Sequence, residues 1–226
     1  MSEEMKYFYL KNHPMLASLT EQKLKEAAAI AKIKTVYRGE IISYGEGGYT
    51  RIHFLVKGKV KITDLASAEN ELIKDILTEP DIFGDLGLEG KLVNDECAEA
   101  LTANTIICSF HVADFKRILE ESPSMFLNFA KKVNSKLQRL ENRHADLVYL
   151  DTKDRLIRFI KNWARSDGSK VGDKIVLNNY LTHSDIAGFI STSRQSVNML
   201  LNELRTAGLL CYNRKHIELN NPVAWN

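Results

Sequence analysis

The stretch THSDIAGFISTSRQSVNMLLNELR, residues 182–205, decides the fold of the C-terminal third of this 226-residue chain. It contains two short helical patterns separated by a turn at Ser191 and Thr192. Each pattern follows a residue that caps helices well, Thr182 before the first and Ser193 before the second. Four aliphatic residues of the second pattern recur at i, i+3, i+4 and i+7 and predict one buried face. They are Val197, Leu200, Leu201 and Leu204. The stretch therefore predicts a helix-turn-helix.

The opposite face of the second helix carries polar side chains and no acid. Side chains of these types bond base edges and phosphates from the first turns of a recognition helix in the major groove. Arg194 suits guanine, Gln195 suits adenine, and Met199 suits a thymine methyl. The full set expected to contact DNA is Thr182, Ser193, Arg194, Gln195, Ser196, Asn198, Met199, Asn202 and Lys215. Two short helices with a tight turn also occur in proteins that do not bind DNA, so the surrounding charge has to be considered.

The C-terminal third is the electropositive part of a chain whose formal net charge is only +2. Residues 1–150 carry 20 basic and 22 acidic side chains and residues 151–226 carry 11 and 7, which add up to the totals of 31 and 29. A positive surface suits a phosphate backbone. The charge and the polar helix face favour double-stranded DNA as the partner.

The N-terminal half has the sequence pattern of a small antiparallel β structure. Thr20 is placed to cap an early helix, and short alternating runs cut by glycines follow it. The runs cover residues 35–37, 40–44, 51–56, 59–64, 72–77, 98–102 and 105–110. Short strands at this regular spacing predict a barrel or a sandwich.

A helical pattern begins after Pro123 and continues for more than twenty residues. Its apolar residues form one narrow seam opposite a charged face, which is typical of a helix that pairs with a copy of itself. The seam comprises Phe126, Phe129, Val133, Leu137, Leu140, His144 and Leu147. A helix packed only on its own domain is the alternative.

A third section starts at Asp151 with another helical pattern, followed by a loop over residues 166–173 and a short strand over residues 174–177. After the helix-turn-helix, runs at 209–212 and 216–219 flank Asn213, Arg214 and Lys215 as a hairpin, the wing of a winged helix. The predicted class is α+β, with a sensor barrel over 1–120, a dimerisation helix over 121–150 and a DNA-binding domain over 151–226.

Two further segments carry a resemblance to a known family. FLVKGKVKI at residues 54–62 is similar to a strand pair around a glycine turn, and DIFGDLGL at residues 81–88 is similar to the opening of a phosphate-binding cassette. With the helix-turn-helix, they make nearly the whole chain resemble the cAMP receptor protein and fumarate-nitrate reductase regulator (Crp/Fnr) superfamily of transcription regulators. The resemblance implies a cyclic-nucleotide-binding-like jelly roll, a homodimer joined along the central helix, a two-fold DNA operator and contact with RNA polymerase.

The segment that corresponds to the effector pocket departs from the cAMP-binding pattern. A buried phosphate needs a cation, and the family's cAMP-binding members supply an Arg-Ser pair there. Here Asp95 and Glu96 stand at that place, and Leu140 and Glu141 replace the hydroxyl pair of the central helix. The remaining pocket candidates are Gly84, Asp85 and Leu86. We expect an effector other than cAMP or cGMP, or none.

The recognition helix also departs from the cAMP receptor pattern. Gln195 stands in the place of a glutamate, and Met199 replaces a second arginine that reads bases. Ser191 replaces the usual turn glycine, which requires a non-glycine residue in left-handed geometry at a cost of about 1 kcal/mol. The operator should therefore differ from that of the cAMP receptor.

Cofactors are not predicted. The iron-sulfur branch of the family places cysteines near the N-terminus, whereas the three here begin at Cys97 and lack CxxC spacing. Haem would need an axial ligand such as His53, His111 or His144, although lone histidines are more often structural. Scattered cysteines and the lack of a signal peptide or membrane span indicate the cytoplasm. A protein-binding adaptor is the alternative function, and no catalytic motif indicates an enzyme.

Overall fold

The computed structural model describes residues 2–42, 50–64, 72–90 and 96–220. The chain forms two compact units, Met1–Arg139 and Leu140–Asn226. Each unit has its own antiparallel sheets, and one long helix, α4, is continuous across the boundary.

The first unit begins with helices α1 (Glu3–Lys11) and α2 (Glu21–Ile30), separated by a 3-10 turn at Pro14–Leu16. Among the described residues, its strands are β1 (Lys32–Val36), β2 (Ile41–Ile42), β3 (Arg51–Lys57), β4 (Lys59–Asp64), β5 (Leu72–Thr78), β6 (Asp81–Gly84), β7 (Glu96–Ala100) and β8 (Thr105–His111). Helices α3 (Val112–Glu120) and α4 (Pro123–Tyr149) follow.

The strands pair in two four-stranded antiparallel sheets of order β1-β8-β3-β6 and β2-β7-β4-β5. An apolar core lies between them, because alternate residues of each strand face inward; Leu55, Phe83 and Ile107 come from one sheet and Val60 and Ala98 from the other. A second core, centred on Phe54, Phe110 and Phe115, joins the first sheet to the helices.

The predicted strands are confirmed to within a few residues wherever the structure describes them, although 43–44 lie outside the described residues. In the described part of the first unit, α1, α3, β6 and the 3-10 turn at Pro14–Leu16 were missed. Strand β6, Asp81–Gly84, is only four residues long and starts with an aspartate, a residue that is depleted in strands. Its first three residues are buried, so packing in the tertiary structure outweighs the local propensity.

Some apolar residues of helix α4 are buried in the first unit and others are exposed to solvent. Met125 and Phe129 are buried in the core of the first unit, where the Phe129 ring lies 5.5 Å from that of Phe115. Leu137 and Leu140 are 51% and 59% exposed. The expectation that Phe129 lies on the free seam was wrong, because its angular position turns it toward α3.

The buried carboxylate of Asp81 fixes α4 to the sheet. Asp81 is 2% exposed, and its oxygens lie 3.1 Å from Lys132 Nζ, 3.4 Å from Lys136 Nζ and 3.2 Å from Arg139 Nη2. These three cations hold the pKa of Asp81 below its usual value against the opposing effect of burial. Asp75 accepts from Lys136 and Arg139 as well.

The second unit begins at Leu140, within α4. It contains α5 (Thr152–Asp167), β9 (Ser169–Val171), β10 (Lys174–Asn178), α6 (His183–Ile190), α7 (Arg194–Thr206), β11 (Leu210–Tyr212) and β12 (His216–Asn220). The strands form one antiparallel sheet of order β11-β12-β10-β9, so the predicted hairpin is present. The expected loop over 166–173 instead holds β9, whose three exposed residues pair with β10.

We predict that the first unit loses stability in mild acid because of two buried histidines. Burial, followed by the charge of Lys132, lowers the pKa of His13 from 6.5 to about 4, although Asp81 opposes the shift. Burial and then Arg51 lower the pKa of His53 to about 4. Between pH 6.5 and about 4, these two histidines bind a proton in the unfolded chain but not in the folded one. Their effect on stability is therefore absent above pH 6.5, and the folded state becomes less stable as the pH falls toward 4. Each histidine should account for about 2 kcal/mol at pH 5.

Thermal melts followed by circular dichroism between pH 5 and 8 test this prediction. His13→Asn, which keeps the acceptor for the Met15 amide, and His53→Phe, which keeps the ring beside Phe83, should each flatten the pH dependence. The matched control is the exposed His216→Asn. An unchanged pH dependence in both buried-site variants would contradict the prediction.

Candidate nucleic-acid interface and effector region

Helix α6 starts from a complete capping box. Thr182 Oγ1 accepts from the Asp185 amide at 3.0 Å and donates to Asp185 Oδ2 at 2.7 Å, and the same carboxylate oxygen accepts from the Thr182 amide at 2.8 Å. Ile186, Ala187 and Ile190 are buried. Thr182 was expected to contact DNA; in this structure its exposed hydroxyl donates and accepts within the helix cap.

The turn between α6 and α7 has the predicted left-handed residue. Ser191 has φ 55° and ψ 63°, which is unfavourable for a side-chain-bearing residue. Arg155 of α5 binds the backbone here: its Nε donates to the Ile190 carbonyl at 3.0 Å and Nη2 to the Ser191 carbonyl at 3.4 Å. Its Nη1 donates to the Leu150 carbonyl at 2.9 Å.

Helix α7 presents the polar face that the sequence predicts. The four aliphatic residues Val197, Leu200, Leu201 and Leu204 are buried. Arg194, Gln195, Asn198 and Met199 are exposed together on the other side, and Met199 is 56% exposed. An exposed thioether among polar side chains favours contact with an apolar group such as a thymine methyl.

The remaining predicted contacts on α7 are partly engaged. Ser193 caps the helix by accepting from the Ser196 amide at 3.0 Å, and the hydroxyls of these two serines lie 2.9 Å apart. Asn202 Oδ1 accepts from the Tyr212 hydroxyl at 3.2 Å, so this residue also links α7 to the hairpin.

Lys215 lies exposed at the tip of the β11–β12 hairpin. Its amide donates to Asn213 Oδ1 at 2.7 Å, and Asn179 holds the tip by donating from Nδ2 to the Asn213 carbonyl at 2.9 Å and from its amide to the Lys215 carbonyl at 2.7 Å. The hairpin therefore holds a lysine at a fixed place on the surface of the second unit.

Sequence reasoning missed Arg155, Asn179 and His183. The His183 ring lies 5.7 Å from the Tyr212 ring, and burial and then the charge of Arg194 lower its pKa. A helical pattern cannot reveal these residues, because each acts on a segment distant in the sequence. Arg155 lies in the first turn of α5, and nothing in the sequence around it indicates that it binds the turn at Ser191.

The effector candidates of the first unit are engaged within the protein. Asp85 is 4% exposed, and its Oδ2 accepts from the Gly90 amide at 2.6 Å. Gly84 has φ 95°, and a Cβ there would lie 2.5 Å from the Arg51 carbonyl oxygen. Glu96 forms an ion pair of 2.8 Å with Lys74, which also pairs with Asp64 at 2.9 Å.

The other four effector candidates have different surroundings. Asp95 lies outside the described residues. Leu140 and Glu141 are exposed on α4, whereas Leu86 packs against the core of the first unit. The structure therefore brings Gly84, Asp85 and Leu86 together on one short segment.

Two of the histidines considered as haem ligands have other contacts. The His53 ring stacks on Phe83, and Arg51 Nη2 lies 2.6 Å from His111 Nε2. Cys108 is buried, which raises the pKa of its thiol to about 12. Within the described ranges, no group of three or more His, Cys, Asp or Glu side chains is arranged to hold a metal ion. Among the helices that the structure describes, none has the length and apolar character needed to cross a membrane.

Comparison with known proteins gives consistent matches. Residues 154–224 match the Crp-like helix-turn-helix domain. A global nitrogen regulator of Synechocystis sp. is 28% identical over 193 residues, covering 85% of this chain and 86% of that protein. A CRP-like cAMP-activated global transcriptional regulator of Mycobacterium tuberculosis is 23% identical over 181 residues, covering 80% of each chain.

Solved structures share the fold. A CooA double mutant from Carboxydothermus hydrogenoformans has a TM-score of 0.71 at 24% identity and covers 87% of each chain. A cyclic nucleotide-binding domain containing protein from Listeria monocytogenes has a TM-score of 0.71 at 17% identity and covers 98% of this chain and 99% of that one. The fold is thus cyclic-nucleotide-binding-like with a Crp-like helix-turn-helix domain at residues 154–224, and over most of its length this chain is similar to transcription regulators of the Crp/Fnr type.

Proposed function

We propose that the protein is a homodimer that binds a two-fold DNA operator, with one α7 in the major groove of each half-site. The exposed polar face of α7, held by buried aliphatic residues and a serine cap, is the observation that carries the proposal. Arg194 and Gln195 lie in its first turn, where a recognition helix meets base edges. Lys215 on the hairpin, acting as the wing of a winged helix, neutralises a phosphate.

Dimerisation is assigned to α4 through a repeat that alternates four-residue and three-residue steps, as the core positions of a coiled coil do. The positions are Phe126, Ala130, Val133, Leu137, Leu140, His144 and Leu147. Ala130 thus takes the place first given to Phe129. Phe126, Leu137, Leu140 and Leu147 are 39–59% exposed, an apolar surface that a second copy would cover. His144 is a polar residue in the seam and favours a single register.

Regulation would act through α4. Residues 1–120 serve as a jelly-roll sensor, 121–150 as the dimerisation helix and 151–226 as the DNA-binding domain. The Asp81 cluster ties the sensor to α4, and Arg143, 4.4 Å from the Phe189 ring centroid, ties the end of α4 to α6. A population shift in the sensor would change the spacing of the recognition helices. Such a regulator acts in the cytoplasm, contacts RNA polymerase and is not an enzyme.

The sensor does not use cAMP or cGMP in this proposal. A buried phosphate needs a cation. Lys74 already forms ion pairs with two acids, Asp64 and Glu96. Asp85 is itself an acid, and it accepts a hydrogen bond from the Gly90 amide. The effector is either a different small ligand or absent, and no cofactor is assigned.

Arg194→Ala should weaken specific binding by about 1 to 3 kcal/mol and relax the preference at one base position. Mobility-shift titrations on selected operators and single-base variants measure both effects. Arg165→Ala removes the same charge from an exposed position on α5 and is the matched control. An equal loss on every sequence would assign Arg194 to phosphate instead.

Leu137→Glu should convert the dimer to monomer, because it places a charge in an apolar seam. Sedimentation velocity gives the oligomeric state. Asn142→Glu adds the same charge on the opposite face of α4 and should leave the dimer intact. A monomeric wild-type protein, or a dimeric Leu137→Glu variant, would contradict the assignment of the seam.

Calorimetric titration with cAMP should give no binding at micromolar concentration. The same preparation has to shift operator DNA, which shows that it is folded and active. Micromolar cAMP binding would overturn the proposed sensor chemistry but not the DNA-binding function.

A further inference from the structure

A groove on the first unit lies between the turn at residues 13–15, Pro80 and the side of α4 that carries Asn128, Lys131, Lys132 and Ser135. Its volume is about 330 Å³. Volumes of this order hold small ligands in proteins. The groove is separate from the segment of Gly84 to Leu86 considered above for the effector.

The charged side chains of the groove are all positive. Lys131 is exposed and has no ion pair or hydrogen bond within the part of the chain that the structure describes. Lys132 Nζ lies 3.1 Å from both Asp81 Oδ1 and the Pro80 carbonyl oxygen. Asp81 keeps Lys136 and Arg139 as partners, so an anion in the groove could share Lys132 without leaving that buried carboxylate unpaired.

The neutral polar groups of the groove can donate hydrogen bonds. Asn128 carries an amide whose Nδ2 lies 3.4 Å from Ser18 Oγ, and Ser135 carries a hydroxyl. His13 is 4% exposed; its Nδ1 accepts from the Met15 amide, which assigns the proton to the buried Nε2. Among the described residues that line the groove none is an acid, so its polar groups suit an anion.

The opposite wall is apolar. Pro14, Met15 and Pro80 supply hydrocarbon and thioether surface but no side-chain hydrogen-bond donor. An inorganic anion has no apolar part that could pack against this wall. An anion with an apolar body fills both halves of the groove.

The groove faces away from the seam assigned to dimerisation. With about 100° per residue, Asn128, Lys131 and Ser135 lie on the side of α4 opposite Ala130 and Val133. The groove would therefore stay open in the proposed dimer.

We propose that this groove binds a small organic carboxylate, with the carboxylate between Lys131 and Lys132 and the apolar body against Met15 and Pro80. The site would be distinct from the effector site of the sensor. Because the ligand contacts a lysine of the Asp81 cluster, its occupancy bears directly on the contact that ties α4 to the sheet.

Methyl-labelled methionine NMR of the full chain tests the site, since the sequence has only five methionines. Titration with benzoate should shift the Met15 methyl signal with saturation, because the ring would lie against it. The Met199 methyl, exposed on α7, should not move. Benzamide has the same ring without the charge and should bind at least about three-fold more weakly.

Lys131→Ala should weaken benzoate binding about three- to five-fold, the range expected for one solvent-exposed ion pair. Lys116→Ala, an exposed lysine on α3, is the matched control and should bind as the wild type does. No saturable shift of Met15, equal binding of benzamide, or unchanged affinity in Lys131→Ala would each overturn the proposal. Operator binding measured on the same samples reports separately on the DNA-binding function.

Discussion

The carboxylate of Asp81 is the group on which the arrangement of the first unit depends. A carboxylate that is 2% exposed is stable in ionised form only beside cations, and all three of its cations come from α4. Lys132, Lys136 and Arg139 follow one another at i, i+4 and i+7, so the same helix face must meet the sheet over two turns. This requirement fixes the rotation of α4 about its axis. The apolar face that is left exposed is therefore a consequence of where one buried acid sits.

In the second unit, the packing and the helix caps hold α7 at the surface with its polar face exposed. Buried leucines position α7 from below, and caps at Thr182 and Ser193 satisfy the amides that begin the two helices. The hydroxyls that do this are among those expected to contact DNA. Polar residues at the helix starts thus contribute to the fold, and the side chains proposed for base recognition lie one to six residues beyond Ser193.

Sequence reasoning succeeded where a pattern is local and failed where a contact is distant. The repeat from Val197 to Leu204 and both caps determine α7 within one segment, and the strands alternate as they do in the structure. Phe129 was misassigned because spacing gives the angle of a residue on a helix but not the identity of its neighbour. Asn202 and Arg155 depend on Tyr212 and on the α6 turn, which no local pattern indicates.

Arg155 has a geometric consequence for base recognition. Its guanidinium joins the carbonyl that follows α4, at Leu150, to the carbonyls at Ile190 and Ser191 that precede α7. A 13-residue helix such as α7 is about 20 Å long, so a tilt of about 10° at one end moves the other by about 3.4 Å, one base-pair step. In the proposed complex, the hydrogen bonds of this one side chain would therefore limit the tilt that could move α7 out of register with the bases.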